Sequence, residues 1–328
     1  MYANNAQRSY ALDALRALAI VLVTNSHLDT MYPLPQLATG GALGNALFFF
    51  VSGLGLSLAY QRQQLEFVPW YLRRIGRIYP SVIVVIILFD VVINMTWSTW
   101  SLADYITTFV WPTPFWFIPA IMFFYIVYFQ VLRRRNQALY LVVLAAMFAP
   151  YFIYYCNYYD FSRYSIENTG YIKLIFYFQI MVFGGYLSFI PKTDRRNMLL
   201  KSLILSVCLL VYGLCGLAFL RGHYCQYQAA MHLLVFPLTY LFFMVLRSSV
   251  MHDFMQNTVF SACVAGLASL SLEIYLFQYY LLDIEFINSC RFPANILFFL
   301  ALLIFCSLVL SRIMRFRRLS TSKYSLNY

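Results

Sequence analysis

Apolar positions fill most of this chain in long blocks that are separated by short polar segments. Blocks of about 18 to 22 apolar residues are long enough to cross a bilayer core as α-helices. Ten such blocks predict an all-α integral membrane protein with about ten transmembrane helices. The predicted spans are approximately residues 11–29, 42–60, 78–96, 114–132, 138–156, 171–190, 199–219, 230–247, 261–282 and 293–311.

Positive charge orients these spans, because short cytoplasmic loops retain lysine and arginine. With both termini in the cytoplasm, 18 of the 23 basic residues fall on the cytoplasmic side. They are Arg8, Arg62, Arg73, Arg74, Arg77, Arg133, Arg134, Arg135, Lys192, Arg195, Arg196, Lys201, Arg247, Arg312, Arg315, Arg317, Arg318 and Lys323. On or near the outer side are Arg163, Lys173, Arg221 and Arg291. Topology therefore accounts for most of the net charge of +11, and no nucleic-acid partner is expected.

Composition narrows the class of protein further. With 62% apolar and only 11% charged residues, the chain does not belong to the soluble globular class. The seven cysteines are scattered without a CxxC pair, so packing is favoured and no metal site is predicted. There is no GxSxG, GxxxxGK[ST] or HExxH motif, so the usual parts of soluble hydrolases, ATPases and zincins are missing. The first apolar block is interpreted as a retained helix, and no soluble domain is expected after the last span.

Arg16 and His27 are the most informative polar residues of the first block. They are eleven positions apart, which predicts one shared helix face and a separation of about 16 Å along the axis. Asp13 precedes Arg16 by three residues and is placed to form an ion pair that lessens the cost of burying the guanidinium. The alternative is that Arg16 reaches the headgroups and His27 caps the other helix end, as ordinary boundary residues do.

Three arginines crowd the predicted cytoplasmic start of the third span. Arg74 and Arg77 are three residues apart and share a helix face, while Arg73 lies beside them. Two guanidinium groups on one face form a fork that suits phosphate oxygens, so a phosphorylated cytosolic ligand is expected. The alternative is that these arginines only determine topology and touch lipid phosphates.

Small residues form a stripe in the second span, where Ser52, Gly53, Gly55 and Ser57 recur. Such a stripe lets another helix or a thin ligand approach the backbone closely. Helix packing is the commoner explanation.

Two further positions in apolar blocks carry specific expectations. Glu273 lies inside the ninth span and must be paired with a cation or kept protonated, and Arg16 is an available cation. Pro119 is expected to bend the fourth span. The remaining histidines, His223, His232 and His252, are interpreted as interfacial residues.

Taken together, these segments resemble the membrane acyltransferase 3 family of bacterial O-acyltransferases. The matching pieces are LDALRALAIVLVTNSH, LFFFVSGLGLS, the RIGR of YLRRIGRIYP, FWFIPAIMFFY and SLSLEIYLFQ, in the order of the family. The resemblance implies ten helices, a short acyl-CoA such as acetyl-CoA as the donor substrate, and no permanently bound cofactor. It also implies a glycan or lipid-linked saccharide acceptor, contact with membrane lipids, and the bacterial inner membrane as location. It says nothing about oligomeric state.

The same resemblance assigns roles to individual residues. It maps His27 onto the catalytic histidine, Arg16 onto its partner arginine, and Arg74 and Arg77 onto an RxxR pair. Many members have a histidine where this chain has Gln278, and many have a glutamate in the motif that here contains Pro119. These departures indicate a divergent branch of the family.

The expected activity is acyl transfer to a hydroxyl of an exported glycan, with His27 as general base or as acyl carrier. Arg16 is expected to act electrostatically, and Arg73, Arg74 and Arg77 to hold the donor phosphates, with Asp13, Glu273 and Ser52 in supporting roles. The alternative function is a transporter or flippase for a glycan intermediate, in which Arg16, His27 and Glu273 form a proton or substrate pathway.

Overall fold

The computed structural model describes residues 10–162, 170–190 and 198–324, with side chains as far as residue 315. Regular structure in this part of the chain is helical. The α-helices are α1 Tyr10–Asn25, α2 Gly41–Arg62, α3 Phe67–Ile86, α4 Leu102–Tyr105, α5 Phe117–Leu132, α6 Gln137–Tyr158, α7 Gly170–Leu187, α8 Met198–Leu220, α9 Gln228–Leu246, α10 Ser249–Phe254, α11 Thr258–Leu281, α12 Glu285–Ser289 and α13 Ala294–Tyr324. Arg8, Arg163, Lys192, Arg195 and Arg196 lie outside the described residues, as do the side chains of Arg317, Arg318 and Lys323.

Each of the ten predicted spans overlaps one of these helices. Within the described residues, eight helices are long and apolar enough to cross a membrane, or nine if one bent pair counts as a span. Helix α1 has 16 residues, about 24 Å, which is short for a hydrocarbon core of about 30 Å. The all-helical membrane class is confirmed, whereas the count of ten and the cytoplasmic termini stay predictions.

The predicted shared helix face of Arg16 and His27 is wrong, because α1 ends at Asn25. The end follows from polar side chains that bond to backbone groups in place of the helix. Ser26 Oγ donates to the carbonyl oxygen of Val23 at 2.7 Å, and Asn25 Nδ2 donates to that of Leu37 at 2.9 Å. His27 therefore lies in a turn beyond the helix.

Helix α3 starts at Phe67, earlier than the predicted span at residue 78. Arginine is a good helix former, and Pro69 lies in the first turn, where a missing N–H is tolerated. Arg73, Arg74 and Arg77 consequently lie inside the helix instead of at its start. Beyond Ile86 the chain continues as a π-helix from Ile87 to Ile93.

The bend expected at Pro119 falls elsewhere. The segments Leu102–Phe115 and Phe117–Leu132 meet at 95°, so the turn is at Trp116. Pro119 is the third residue of α5, where its missing N–H interrupts no hydrogen bond within the helix.

The chain divides into two compact units. The α2/α7 unit contains the described residues up to Leu22, Gly40–Gln64 and the described part of Gln130–Ala268. The α3/α11 unit contains Val23–Thr39, Leu65–Phe129 and the described residues from Ser269 onward. Three of the divisions fall inside continuous helices, namely α1, α5 and α11.

Helices α2 and α7 approach each other through reciprocal glycines. A Cβ atom at Gly53 would overlap the carbonyl oxygen of Met181, and one at Gly184 would overlap that of Phe50. The two backbones are therefore in direct contact. The small-residue stripe of α2 is a packing surface at Gly53, as its commoner explanation predicts.

The end of α6 and the start of α9, with the residues next to them, are joined by a ladder of buried tyrosines, which we call the tyrosine ladder: Tyr151, Tyr155 and Tyr159. Their rings stack, with centroids 6.2 Å and then 5.3 Å apart. Tyr151 Oη lies 2.9 Å from His232 Nδ1, Tyr155 Oη donates to the carbonyl oxygen of Gln226 at 2.6 Å, and Tyr159 Oη donates to Gln228 Oε1 at 3.2 Å. Spacing by four residues puts all three hydroxyls on one face of the chain.

In the other unit, α3 and α11 meet along a seam of polar and aromatic pairs. Ser81 Oγ donates to Glu273 Oε1 at 3.4 Å, and Tyr280 Oη donates to Asp90 Oδ2 at 2.7 Å. Residue numbers rise together along both sides of the seam, so the two segments run parallel. A parallel direction is expected for these helices, because they correspond to the third and ninth predicted spans, and odd-numbered spans cross a membrane in the same direction.

Candidate functional site

His27 lies just beyond the end of α1, and that helix end is bonded to α11. The N–H of His27 donates to the carbonyl oxygen of Thr24 at 3.1 Å, and the residue as a whole is exposed while part of the ring is shielded by protein. Thr24 Oγ1 in turn donates to Gln278 Oε1 at 3.1 Å, and both of these side chains are buried. Gln278 therefore ties the end of α1, three residues before His27, to α11.

The imidazole of His27 lies outside the helical spans and is electrostatically biased toward its neutral form. Surrounding protein withdraws water from part of the ring and lowers the pKa of His27 below its usual value, an effect that the Asp29 carboxylate partly offsets. A neutral imidazole has one nitrogen free to accept a proton. The electrostatics suit a general base at neutral pH.

Arg16 and Asp13 lie in the α2/α7 unit, and the predicted ion pair between them is present. Arg16 Nη1 is 3.4 Å from Asp13 Oδ1, with the arginine side chain 30% exposed and the aspartate 5% exposed. A Cβ at Gly55 would lie 3.8 Å from Arg16 Nη2, so the glycine side of α2 faces the guanidinium. The carboxylate offsets the cost of keeping this cation within an apolar helix.

The three arginines of α3 differ in environment. Arg73 and Arg77 are exposed, whereas Arg74 is half-buried, with its guanidinium carbon 5.3 Å above the centroid of the Trp70 ring. Arg74 and Arg77 are three residues apart on a continuous helix, so they do share a face. These arginines belong to the same compact unit as His27.

The supporting residues are placed as follows. Glu273 is 8% exposed and is bonded by Ser81, and its pairing with Arg16 stays a prediction. Ser52 is half-buried in α2, and Ser57 Oγ lies 3.0 Å from Tyr140 Oη. Among the described residues, no group of three or more histidine, cysteine, aspartate or glutamate side chains is arranged to hold a metal ion.

One histidine was misinterpreted from the sequence. His232 was expected at an interface, but it is 4% exposed and stacks on Phe176 with ring centroids 3.8 Å apart. The misleading signal was its position near the predicted start of a span. A second signal, the tyrosines that recur every four residues in α6, was available in the sequence and predicts a polar partner in a neighbouring helix.

Thr24 and Trp70 were also missed. Thr24 is a polar residue in an apolar run three positions before His27, which is a recognisable signal. Trp70 precedes Arg74 by four residues, the spacing at which two side chains meet on a helix.

The chain is a multipass membrane protein in which three arginines of a membrane-length helix lie in the same compact unit as His27. The sequence matches the model of a family described as an acyltransferase domain, the acyltransferase 3 family, over residues 9–312. The chain therefore belongs to this family, as its motifs indicate.

A curated relative adds detail over a short region. Peptidoglycan O-acetyltransferase OatA of Listeria monocytogenes serovar 1/2a (strain EGD-e) is 30% identical over 116 residues. The match covers 33% of this chain and 18% of the relative, so the chain spans well under two thirds of that protein's length. No solved structure matches the chain.

Proposed function

We propose that this protein is an O-acyltransferase that moves a short acyl group, most simply acetyl, from cytosolic acyl-CoA to a hydroxyl of an exported glycan. The observation that carries the proposal is the family match over residues 9–312, combined with a single compact unit that contains both His27 and the α3 arginines. The printed name of the curated relative supports acetyl transfer to a glycan of the cell envelope. Peptidoglycan, another surface polysaccharide, or a lipid-linked saccharide fits this chemistry.

His27 is the proposed base. Its neutral imidazole accepts the proton of the acceptor hydroxyl while the hydroxyl oxygen attacks the thioester carbonyl. The tetrahedral intermediate then collapses, the C–S bond breaks, and the CoA thiolate takes the proton from the imidazolium. The same residue is placed to act as an acyl carrier if the acyl group passes through an acyl-imidazole. General-base assistance of this kind contributes about 10²- to 10⁴-fold in rate.

The α3 arginines are the proposed donor site. Arg73, Arg74 and Arg77 present three cations within five residues, and guanidinium groups bind phosphate oxygens bidentately. A CoA diphosphate held there leaves the thin pantetheine arm free to carry the thioester into the helices. Arg16, neutralised in part by Asp13, is assigned an electrostatic role because the family resemblance makes it the partner of the histidine.

The test is transfer of label from [acetyl-14C]acetyl-CoA into glycan in native bacterial membranes. Wild type is compared with His27→Ala and with His252→Ala, an exposed histidine in α10, at matched expression. Label that depends on the protein, is lost with His27→Ala and is retained with His252→Ala supports the proposal. Label that persists without His27 refutes its role. Absence of protein-dependent label, together with vectorial movement of a glycan intermediate, would favour the transporter or flippase.

A further inference from the structure

Trp70 is a buried polar side chain that its surroundings leave unsatisfied. The residue is 2% exposed and is packed between α3 and α5, with its ring centroid 5.8 Å from that of Tyr125 and 5.1 Å from that of Phe129. Within the described residues, its Nε1–H has no hydrogen-bond partner. Buried indole N–H groups normally have a partner, and leaving a donor unpaired costs about 1–3 kcal/mol.

A second unsatisfied donor lies one helical turn away. The Nε–H of Arg74 is also buried and has no hydrogen-bond partner in the described part of the chain. The Arg74 guanidinium lies over the Trp70 ring at 5.3 Å, so the two side chains form one contact surface. Packing and cation–π attraction explain why these side chains are together, but neither interaction uses the two N–H groups.

Both unsatisfied groups are donors, and one belongs to a permanent cation. A ligand that satisfies both must present acceptor oxygens and is favoured by negative charge. A phosphate or diphosphate has these properties, with several oxygens close enough together to take two donors at once. An amide carbonyl offers one oxygen and no charge, and it fits less well.

We propose that the Trp70 indole N–H and the Arg74 Nε–H form a two-donor seat for the diphosphate of the acyl-CoA donor. The inference rests on the proposed function for the identity of the donor, and it makes Trp70 a binding residue that the arginine motif does not include. In this arrangement Trp70 fixes where the diphosphate lies along α3, while the exposed Arg77 and Arg73 supply charge. A phospholipid headgroup carries the same phosphate chemistry and is the competing source of the ligand.

The experiment uses the full chain purified in detergent and measures equilibrium binding of labelled CoA, with competition by inorganic pyrophosphate. Trp70→Phe removes the N–H together with part of the ring, and it keeps a smaller aromatic face beneath Arg74. Trp97→Phe, at a 48% exposed tryptophan of the same unit, is the matched control. We expect Trp70→Phe to weaken both CoA and pyrophosphate by about tenfold or more, since a hydrogen bond to a charged group is lost. Because the smaller ring leaves a cavity at a buried site, Trp70→Phe should melt below wild type, and binding is therefore measured at a temperature at which both proteins are folded.

Several results would overturn the seat. Unchanged binding of CoA by Trp70→Phe refutes the seat. Weaker binding of CoA with unchanged binding of pyrophosphate also refutes it, because the indole would then contact another part of the donor. Failure of wild type to bind either probe refutes it as well. Loss of co-purified phospholipid phosphate in Trp70→Phe, with CoA binding intact, assigns the seat to a lipid.

The transfer assay separates this inference from the proposed function. If acyl transfer occurs and Trp70→Phe binds acyl-CoA as tightly as wild type, the two-donor seat is refuted and the proposed acyltransferase function stands. If Trp70→Phe weakens the binding of pyrophosphate but the wild type transfers no acyl group, the seat stands and the proposed acyltransferase function is refuted.

Discussion

Replacing Gly53 by alanine should separate α2 from α7. The added Cβ would overlap the carbonyl oxygen of Met181, a backbone atom that cannot rotate away. The neighbouring side chains Phe49 and Phe50 are fully buried, so the helix cannot shift without disturbing them. Overpacking of this kind costs about 1–3 kcal/mol or more.

The matched control is Gly213→Ala in α8, where no heavy atom lies within 4 Å of the added Cβ. Both substitutions gain helix propensity of about 1 kcal/mol, so their difference isolates the steric term. At about 2–4 °C per kcal/mol, Gly53→Ala should melt about 2–12 °C below Gly213→Ala.

The assay is thermal unfolding of the purified protein in detergent, monitored by tryptophan fluorescence at one fixed scan rate, because membrane proteins often unfold irreversibly. Gly184→Ala, which meets Phe50 from the other side, should behave like Gly53→Ala. If Gly53→Ala melts at or above the control, the backbones of α2 and α7 are not in contact and the packing argument fails.

Three further predictions concern the candidate site. The rate of acyl transfer should be constant above about pH 6.5 and should fall at lower pH. The reason is that the pKa of His27 is lowered, so the imidazole stays neutral until the medium is more acidic than the usual pKa of histidine. A rate that already falls well above about pH 6.5 would contradict the burial argument. Arg16→Lys keeps a cation beside Asp13 but loses the planar guanidinium. The affinity for the acyl donor or the transfer rate should therefore drop at least severalfold in the labelled-acetyl assay. Unchanged affinity and rate would exclude a bidentate role for Arg16. Thr24→Val leaves Gln278 without its hydroxyl donor, so the free energy of unfolding should fall by about 1–3 kcal/mol. The transfer rate should fall too, but the midpoint of its pH profile should not move. A shifted midpoint would mean that Thr24 acts on the titration of His27 itself.

The helices were largely predictable because apolar length is a direct physical requirement of the bilayer. Their ends were not. The run of polar side chains from Thr24 to His27 terminates α1 through bonds to Val23, Leu37 and Thr39, and the last two depend on a loop whose path the local pattern does not specify. The early start of α3 was missed because a hydropathy window discounts arginines that nevertheless favour a helix.

Contacts within one helix of the candidate site were predictable, whereas contacts between helices were not. Arg16 with Asp13 was found because three-residue spacing fixes that pair within one helix. The bond between Thr24 and Gln278 joins positions 254 residues apart, and a single sequence carries no signal for such a contact. His232 was misplaced for the same reason, since its partners Tyr151 and Phe176 come from other helices.

The tyrosine ladder has a consequence for how the chain is assembled. Its hydrogen bonds join residues 69 to 81 positions apart, so α6 enters the membrane well before α9 has been synthesised. Three buried phenolic hydroxyls without partners are costly, so these contacts stabilise the end of α6 only when the start of α9 is present. The partners are His232 in α9, Gln228 at its first residue and Gln226 in the turn before it, so the bonds hold the start of α9 against the end of α6. The ladder can therefore form only after the start of α9 has been made.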